Sequence, residues 1–233
     1  MFVDERGVAL ADPDEVRRCQ ELAIPPAWRD VWICPDPAGH LQATGIDAAG
    51  RRQYLYHPQW RARRDRRKFA HVLQIAPCLS RLRRRVAADL RGDELSRDQV
   101  LALAVRLIDR GLFRVGNDQY ANDDDPTFGV ATLLAGHACS AGPQTVRFCY
   151  RAKGGIEREL SIRDPAVAAA VRRLKRFRRG SMRLLAYRDA DRGWREIHAS
   201  DINSYLRRAA GADLTAKDLR TWHATVAAAV ALA

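Results

Sequence analysis

Apolar and polar residues alternate in short runs over the first part of the chain and recur at helical spacing over the rest. The runs at 31–34, 41–46 and 53–56 are short and rich in Val, Ile, Leu and aromatic residues. Clusters of Pro, Gly and Asp at 35–39 and 47–50 separate them. This pattern predicts a small antiparallel sheet. Further on, Ser96 followed by Gln99 has the form of a capping box, and Val100, Leu101, Ala104, Leu107 and Ile108 keep helical spacing until Gly111. Asp164 and Pro165 open a second helix carried by Val167, Ala170, Val171 and Leu174. Ser200 opens a third that Gly211 closes, and Thr215 with Asp218 opens the last. Between the first two of these helices, residues 145–150 and 156–162 both alternate and are joined by a Gly-containing segment, which predicts a hairpin with Lys153 at its tip. The fold class expected is therefore α+β. A small N-terminal antiparallel β-rich domain over residues 1–77 precedes a mainly helical domain over 78–233 that contains a small sheet. There is no internal repeat and no long low-complexity tract.

Composition narrows the partner. Lys and Arg number 40 against 28 Asp and Glu, a formal charge of +12 that suits a polyanion, with nucleic acid first among polyanions. No apolar run is long enough to span a bilayer, and the start Met1-Phe2-Val3-Asp4-Glu5 lacks the basic head and apolar block of a signal peptide. The expectation is a monomeric cytoplasmic protein, associated with the nucleoid and not with a membrane. With 47% apolar residues the chain has enough material for a real core. The 5 cysteines are widely scattered without a Cys-x-x-Cys spacing, and the 6 histidines form no His-x-x-x-His pair, so neither a metal site nor any cofactor is called for.

Three cations stand where a fold would hold them rigidly. Arg114 follows a helix-ending glycine and precedes Gly116. Lys153 sits beside two glycines at a hairpin tip. Arg220 lies in the first turns of an apolar helix, where a cation opposes the helix dipole unless an anion is brought in. Two have a plainer reading, a solvated charge for Arg114 and turn chemistry for Lys153, while the placement of Arg220 favours function. Together they suggest a phosphate. The stretch Gln53-Tyr54-Leu55-Tyr56 differs in kind, because alternation places Tyr54 and Tyr56 on one face and Gln53 on the other. A β-ribbon carrying amide and phenol groups fits a major groove, and two tyrosines packed on a core is the alternative. The basic run over 61–68 reads as a solvated helix face or, beside this strand, as an edge that contacts phosphates.

These residues carry a resemblance. Ile24-Pro25-Pro26-Ala27-Trp28, Val31-Trp32-Ile33-Cys34-Pro35, Gly39-His40-Leu41-Gln42-Ala43-Thr44-Gly45, Gly50-Arg51-Arg52-Gln53-Tyr54, Tyr56-His57-Pro58, Phe113-Arg114-Val115-Gly116, Tyr120 and Lys217-Asp218-Leu219-Arg220-Thr221-Trp222 resemble, in order, the compact bacterial and poxviral type IB DNA topoisomerases. The resemblance implies a two-lobed clamp around duplex DNA. It also implies strand cleavage by a tyrosine through a 3′-phosphotyrosyl link, and religation without ATP. In that family Arg114, Lys153 and Arg220 fall on catalytic positions, and Gln53, Tyr54, Tyr56 and Tyr120 on DNA contacts. Forked guanidiniums suit the charge that builds on the nonbridging oxygens of an attacked phosphodiester, and the lysine suits protonation of the departing 5′ oxygen.

The chain also departs from the pattern. In the family a histidine and then the nucleophilic tyrosine follow the second arginine, whereas here only residues 221–233 follow Arg220. The run 224–233 ends inside an apolar helical pattern without a C-terminal cap. The expectation is a C-terminally truncated chain that binds DNA without cleaving it. His223 reads as structural, and Tyr150, Tyr187 and Tyr205 read as lacking activating neighbours. Leu134 and Gly136 stand where family members often carry a basic residue, and Asp123, Asp124 and Asp125 read as a solvated turn. Two other readings stay open: a duplex-binding module without chemistry, and a strand transferase like the tyrosine recombinases, against which the N-terminal motifs speak.

Overall fold

The computed structural model describes residues 2–92, 94–191 and 193–233. The chain forms two compact units, Met1–Ala70 and His71–Ala233, and is α+β, with helices dominating the second unit. Among the described residues no helix is long and apolar enough to cross a membrane.

The first unit begins with helix α1 (Pro13–Glu21), capped by the Asp12 side chain. A three-stranded antiparallel sheet follows in the order β1 (Arg29–Ile33), β2 (Leu41–Ile46), β3 (Arg52–Tyr56). The central strand β2 buries Ala43 completely, and its Gln42 amide closes the preceding turn by donating to the carbonyls of Gly39 (2.6 Å) and Asp36 (3.1 Å). Gly45 is required by packing, since a Cβ there would stand 2.7 Å from the Trp28 ring.

Helix α2 (Pro58–Asp89) contains the division between the units. Residues 58–77, expected in the strand-rich part, are helical throughout. Val72, Ile75, Leu79, Leu82 and Val86 form one buried stripe at 3–4 residue spacing. That stripe runs straight past Pro77, which lies exposed on another face. The proline therefore ends nothing, and the basic run over 61–68 is solvent-exposed.

The second unit is built around α3 (Arg97–Gly111), buried on nearly every side from Gln99 to Ile108. Its polar side chains orient its neighbours. Asp109 accepts a bidentate pair from Arg83 of α2 (2.9 and 3.0 Å), and its Oδ1 lies 2.8 Å from Nε2 of His223. A carboxylate only accepts, so the imidazole donates. Arg106 meets Asp164 at 2.9 Å; Asp164 caps α5 (Pro165–Phe177) as expected. Arg97 and Asp98 pair with Asp201 and Arg208 of α6 (Ala199–Ala210). Helix α6 starts just before Ser200, with His198 as its cap, and ends on Gly211 in the left-handed conformation. Helix α7 (Ala216–Leu232) opens with the Thr215–Asp218 capping box.

After α3 come the short helix α4 (Asp118–Ala121) and two 3₁₀ turns, Val130–Thr132 and Ala135–His137. An antiparallel sheet of β4 (Ala138–Ser140), β5 (Thr145–Ala152) and β6 (Ile156–Arg163) follows, then the ribbon β7 (Ala186–Arg188) and β8 (Trp194–Glu196). Alternation along β5 sends Val146, Phe148 and Tyr150 into the core.

The Asp109 network yields an acid-side prediction. Burial alone would raise the Asp109 carboxyl, but the hydrogen bonds and charges of Arg83 and His223 outweigh it and hold the pKa below its ordinary value. A depressed folded pKa contributes stability that is complete above the unfolded value of about 3.9. That stability is lost as pH falls through the folded value. In Asp109→Asn the urea midpoint is therefore expected to be lower near neutrality and to fall less steeply from about pH 4 downward. Parallel midpoint-against-pH curves for the two proteins would refute the assignment.

Candidate active site

Arg114 is positioned by its backbone. Helix α3 ends on Leu112, which adopts φ +53 and sends the chain inward to Phe113, fully buried. Phe113 stacks on Tyr150 with centroids 5.4 Å apart and meets Phe148 edge-on at 5.2 Å. The carbonyls of Arg114 and Val115 then accept from the N–H groups of Val130 and Ala131, both at 2.8 Å. This docking needs Gly129: a Cβ there would fall 2.4 Å from the nitrogen of Gly116 and 2.7 Å from the carbonyl oxygen of Arg114. With its main chain held on both sides, Arg114 leaves its side chain in solvent.

Arg220 is carried by α7, one residue past the buried Leu219, and is itself half-buried. One turn later His223 reaches Asp109, so the tether fixes the face that Arg220 presents. The Arg220 Nε is buried and, among the described residues, has no hydrogen-bond acceptor. Burial lowers its pKa first, and the positive charges of Arg114 and then Arg158 lower it further, with Tyr150 opposing. The two arginines named from sequence are thus brought together, near enough to repel. Elsewhere guanidiniums are taken up by carboxylates, as in Arg83–Asp109, Arg106–Asp164 and Arg183–Asp118. Among the described residues neither Arg114 nor Arg220 has such a partner.

Lys153 lies exposed in the turn between β5 and β6, where Gly154 and Gly155 take φ +88 and +73. Among the described residues no hydrogen bond or ion pair holds its amine. The hairpin base is fixed instead, by Arg151 pairing with Asp125 and donating to the Gly155 carbonyl at 3.4 Å. One of the three aspartates read as a solvated turn therefore anchors the lysine-bearing loop. Tyr120, on α4, is 52% exposed and shares no hydrogen bond or ring contact with the arginine pair among the described residues.

In the first unit, Gln53 and the two tyrosines leave β3 on opposite faces. The Gln53 amide donates to Asp47 at 2.8 Å, and Asp47, which also accepts from Arg51, has a pKa of about 2. Tyr54, half exposed, stacks on Tyr56 at 6.2 Å, and Tyr56 on Trp60 at 4.5 Å.

Two members of the arginine cluster escaped the sequence reading. Tyr150 was expected to lack activating neighbours, yet Arg158 lies 3.5 Å from its hydroxyl and the charges of Arg220 and Arg114 reach it. Burial prevails over their charges and pushes its phenol upward, so it is a weak nucleophile at neutral pH. Arg158 pairs with Tyr150 across the hairpin. The Lys-Gly-Gly turn, once located, sets that register and would have placed an arginine on the inward face.

A family model described as the catalytic core of eukaryotic DNA topoisomerase I matches residues 57–233, and one described as the N-terminal domain of bacterial DNA topoisomerase IB matches residues 1–47. The chain is similar to the DNA topoisomerase 1B of Acanthamoeba polyphaga mimivirus, 26% identical over 216 residues that cover 91% of this chain and 63% of that protein. It is also similar to the DNA topoisomerase 1 of Mycosarcoma maydis, 30% identical over 105 residues that cover 44% of this chain and 10% of the relative. The chain thus spans 63% or less of the length of these relatives.

Gly129→Ala tests the backbone docking. Its Cβ meets main-chain atoms that cannot swing away, so the substitution is expected to destabilise the protein by about 1–3 kcal/mol, the range for overpacked sites. The urea midpoint checks this. An unchanged midpoint would mean that the segment holding Arg114 is looser than described.

Proposed function

The chain belongs to the type IB DNA topoisomerase family, and on that premise we propose that it binds duplex DNA and grips one backbone phosphate between Arg114 and Arg220. The observation that carries the reading is the buried Nε of Arg220, which among the described residues has no acceptor and feels the charges of Arg114 and Arg158. A protein holds two guanidiniums side by side without a carboxylate at a cost in repulsion and desolvation, and a phosphate dissolves that cost.

The chemistry proposed for this site is transfer of a DNA strand to a tyrosine and back. A phenolate oxygen bonds to phosphorus, the bond from phosphorus to the 5′ oxygen breaks, and a proton passes to that oxygen. Negative charge builds on the nonbridging oxygens during attack, where the forks of Arg114 and Arg220 stabilise it more than in the ground state. Lys153, on a glycine-hinged turn, is the donor proposed for the 5′ oxygen. Supercoils relax while one strand is open, and the reverse attack restores the backbone.

Residues 1–233 are proposed to perform the gripping but not the attack. The sequence has no tyrosine after Arg220. Of those before it, Tyr150 is buried with a raised pKa, and Tyr205 is buried, donates to Asp89 at 2.7 Å and is likewise pushed up. The first unit is proposed to contact the groove through Gln53, Tyr54 and Tyr56, and the second to add Tyr120.

Two experiments test this. The 233-residue chain is expected to bind duplex DNA with steep salt dependence, losing about 10³-fold in affinity between 50 and 200 mM salt if about six phosphates are contacted. It is expected to leave supercoiled plasmid unrelaxed and to form no covalent adduct on denaturation. A trapped adduct would overturn the division between grip and attack, and the absence of low-salt binding would overturn the DNA reading itself. Separately, Asp47→Ala frees the Gln53 amide to rotate. It should flatten sequence preference across a panel of duplexes while leaving the salt slope in place, and a uniform loss of affinity would move Gln53 out of base recognition.

A further inference from the structure

Arg158 is a charged residue on the core-facing side of a hairpin. Its neighbours on that side are Tyr150 directly opposite and Phe148 diagonally, both buried, with half-buried Leu160 next along the strand. A guanidinium there must find acceptors, and it finds them at the end of α3. One terminal nitrogen donates to the Gly111 carbonyl at 2.7 Å. The other donates to Leu112 at 3.1 Å and lies 3.5 Å from the Tyr150 hydroxyl. The Phe113 ring lies 5.4 Å from its central carbon. These carbonyls are among the last of the helix, without intrahelical partners and at the negative end of its dipole, so a cation suits them.

Two consequences reach the arginine pair. First, Arg158 grips the main chain on both sides of the turn at Leu112, which holds a left-handed conformation that L residues other than glycine adopt at a cost. That turn lies two residues before Arg114. Gly111 leaves no slack on the other side, since a Cβ there would stand 2.5 Å from the Phe113 ring and 2.8 Å from Ile162. Second, carbonyl dipoles satisfy the donors of Arg158 but leave its unit charge uncancelled, and that charge is felt at Arg220. A carboxylate partner would have removed it.

We infer that Arg158 is a positioning residue of the phosphate site: it sets the backbone from which Arg114 springs and adds a third fixed positive charge beside Arg220, while its own forked donors stay on the α3 carbonyls. The inference rests on the reading of Arg114 and Arg220 as the phosphate grip.

The test uses inorganic phosphate as the probe, with its dissociation constant measured by calorimetry on the full 233-residue chain at fixed ionic strength. Four proteins are compared: the unaltered chain, the double variant Arg114→Ala/Arg220→Ala, Arg158→Gln and Arg158→Lys. Urea midpoints are recorded for each. Both Arg158 variants lose the two-carbonyl fork and should lose similar stability. Only Arg158→Gln loses the charge. Phosphate affinity is expected to fall about tenfold in Arg158→Gln, in the range of a charge-assisted contact, and to recover at least half of that loss on a logarithmic scale in Arg158→Lys. Equal phosphate affinity in Arg158→Gln and the unaltered chain would overturn the inference alone. So would equal losses in the two Arg158 variants, which would make the residue merely structural. If Arg158→Gln fails to fold, an Arg158→Lys affinity within twofold of the unaltered chain sustains the role of the charge, and a tenfold loss in that variant refutes it. Phosphate affinity that is undetectable in the unaltered chain, or unmoved in the double variant, would overturn the grip reading on which the inference stands.

Discussion

The burial of α3 on nearly every side is the constraint from which the second unit follows. A helix with so little solvent face leaves few places for idle polar groups, so those it turns toward its neighbours must be matched by them. Asp109 takes Arg83 and His223, Arg106 takes the cap of α5, and the first turn takes α6. The last carbonyls take Arg158. Each match fixes the rotation or height of one surrounding element. Arg114 leaves from the end of this helix, and Arg220 rides on a helix tethered to its Asp109. Both guanidiniums are therefore referenced to one rigid axis, near enough for one to feel the charge of the other.

Much of this was legible in the sequence. Capping residues announced α3, α5 and α7, and the three N-terminal strands and the hairpin followed from alternation and turn chemistry. The family resemblance pointed to Arg114 and Arg220, which sit far apart in the chain. Illegible were the features that depend on which surfaces meet. The helical character of residues 58–77 was masked by a basic run and by Pro77, although the buried stripe that begins at Val72 runs past the proline. Tyr150 and Arg158 lay on strands already located, yet their importance arises only once Phe113 is inserted between hairpin and helix. Gly129 gave no local signal, because what it avoids is a backbone segment thirteen to fifteen residues earlier.

The same contrast separates the cations of the chain. Many arginines of the second unit are spent on architecture, pairing with carboxylates at the surface or half-buried, where each bond adds modestly to stability. The pair at Arg114 and Arg220 is held by apolar packing and main-chain bonds instead. Positive charge is thereby presented without a competing internal anion. Lys153 is held differently again: its hairpin is anchored at the base while the amine itself stands free, which suits a group that must move toward a substrate.

An uncancelled cluster of charge has a thermodynamic signature of its own. The folded protein carries a repulsion that the unfolded chain does not, so any small dianion that settles between the guanidiniums stabilises the native state in proportion to the logarithm of its concentration. Melting behaviour thus becomes tied to the choice of buffer salt. On the phosphate-grip proposal, the thermometer and the binding assay read one linked equilibrium, and a preparation kept in phosphate would already be part of the way to its bound form.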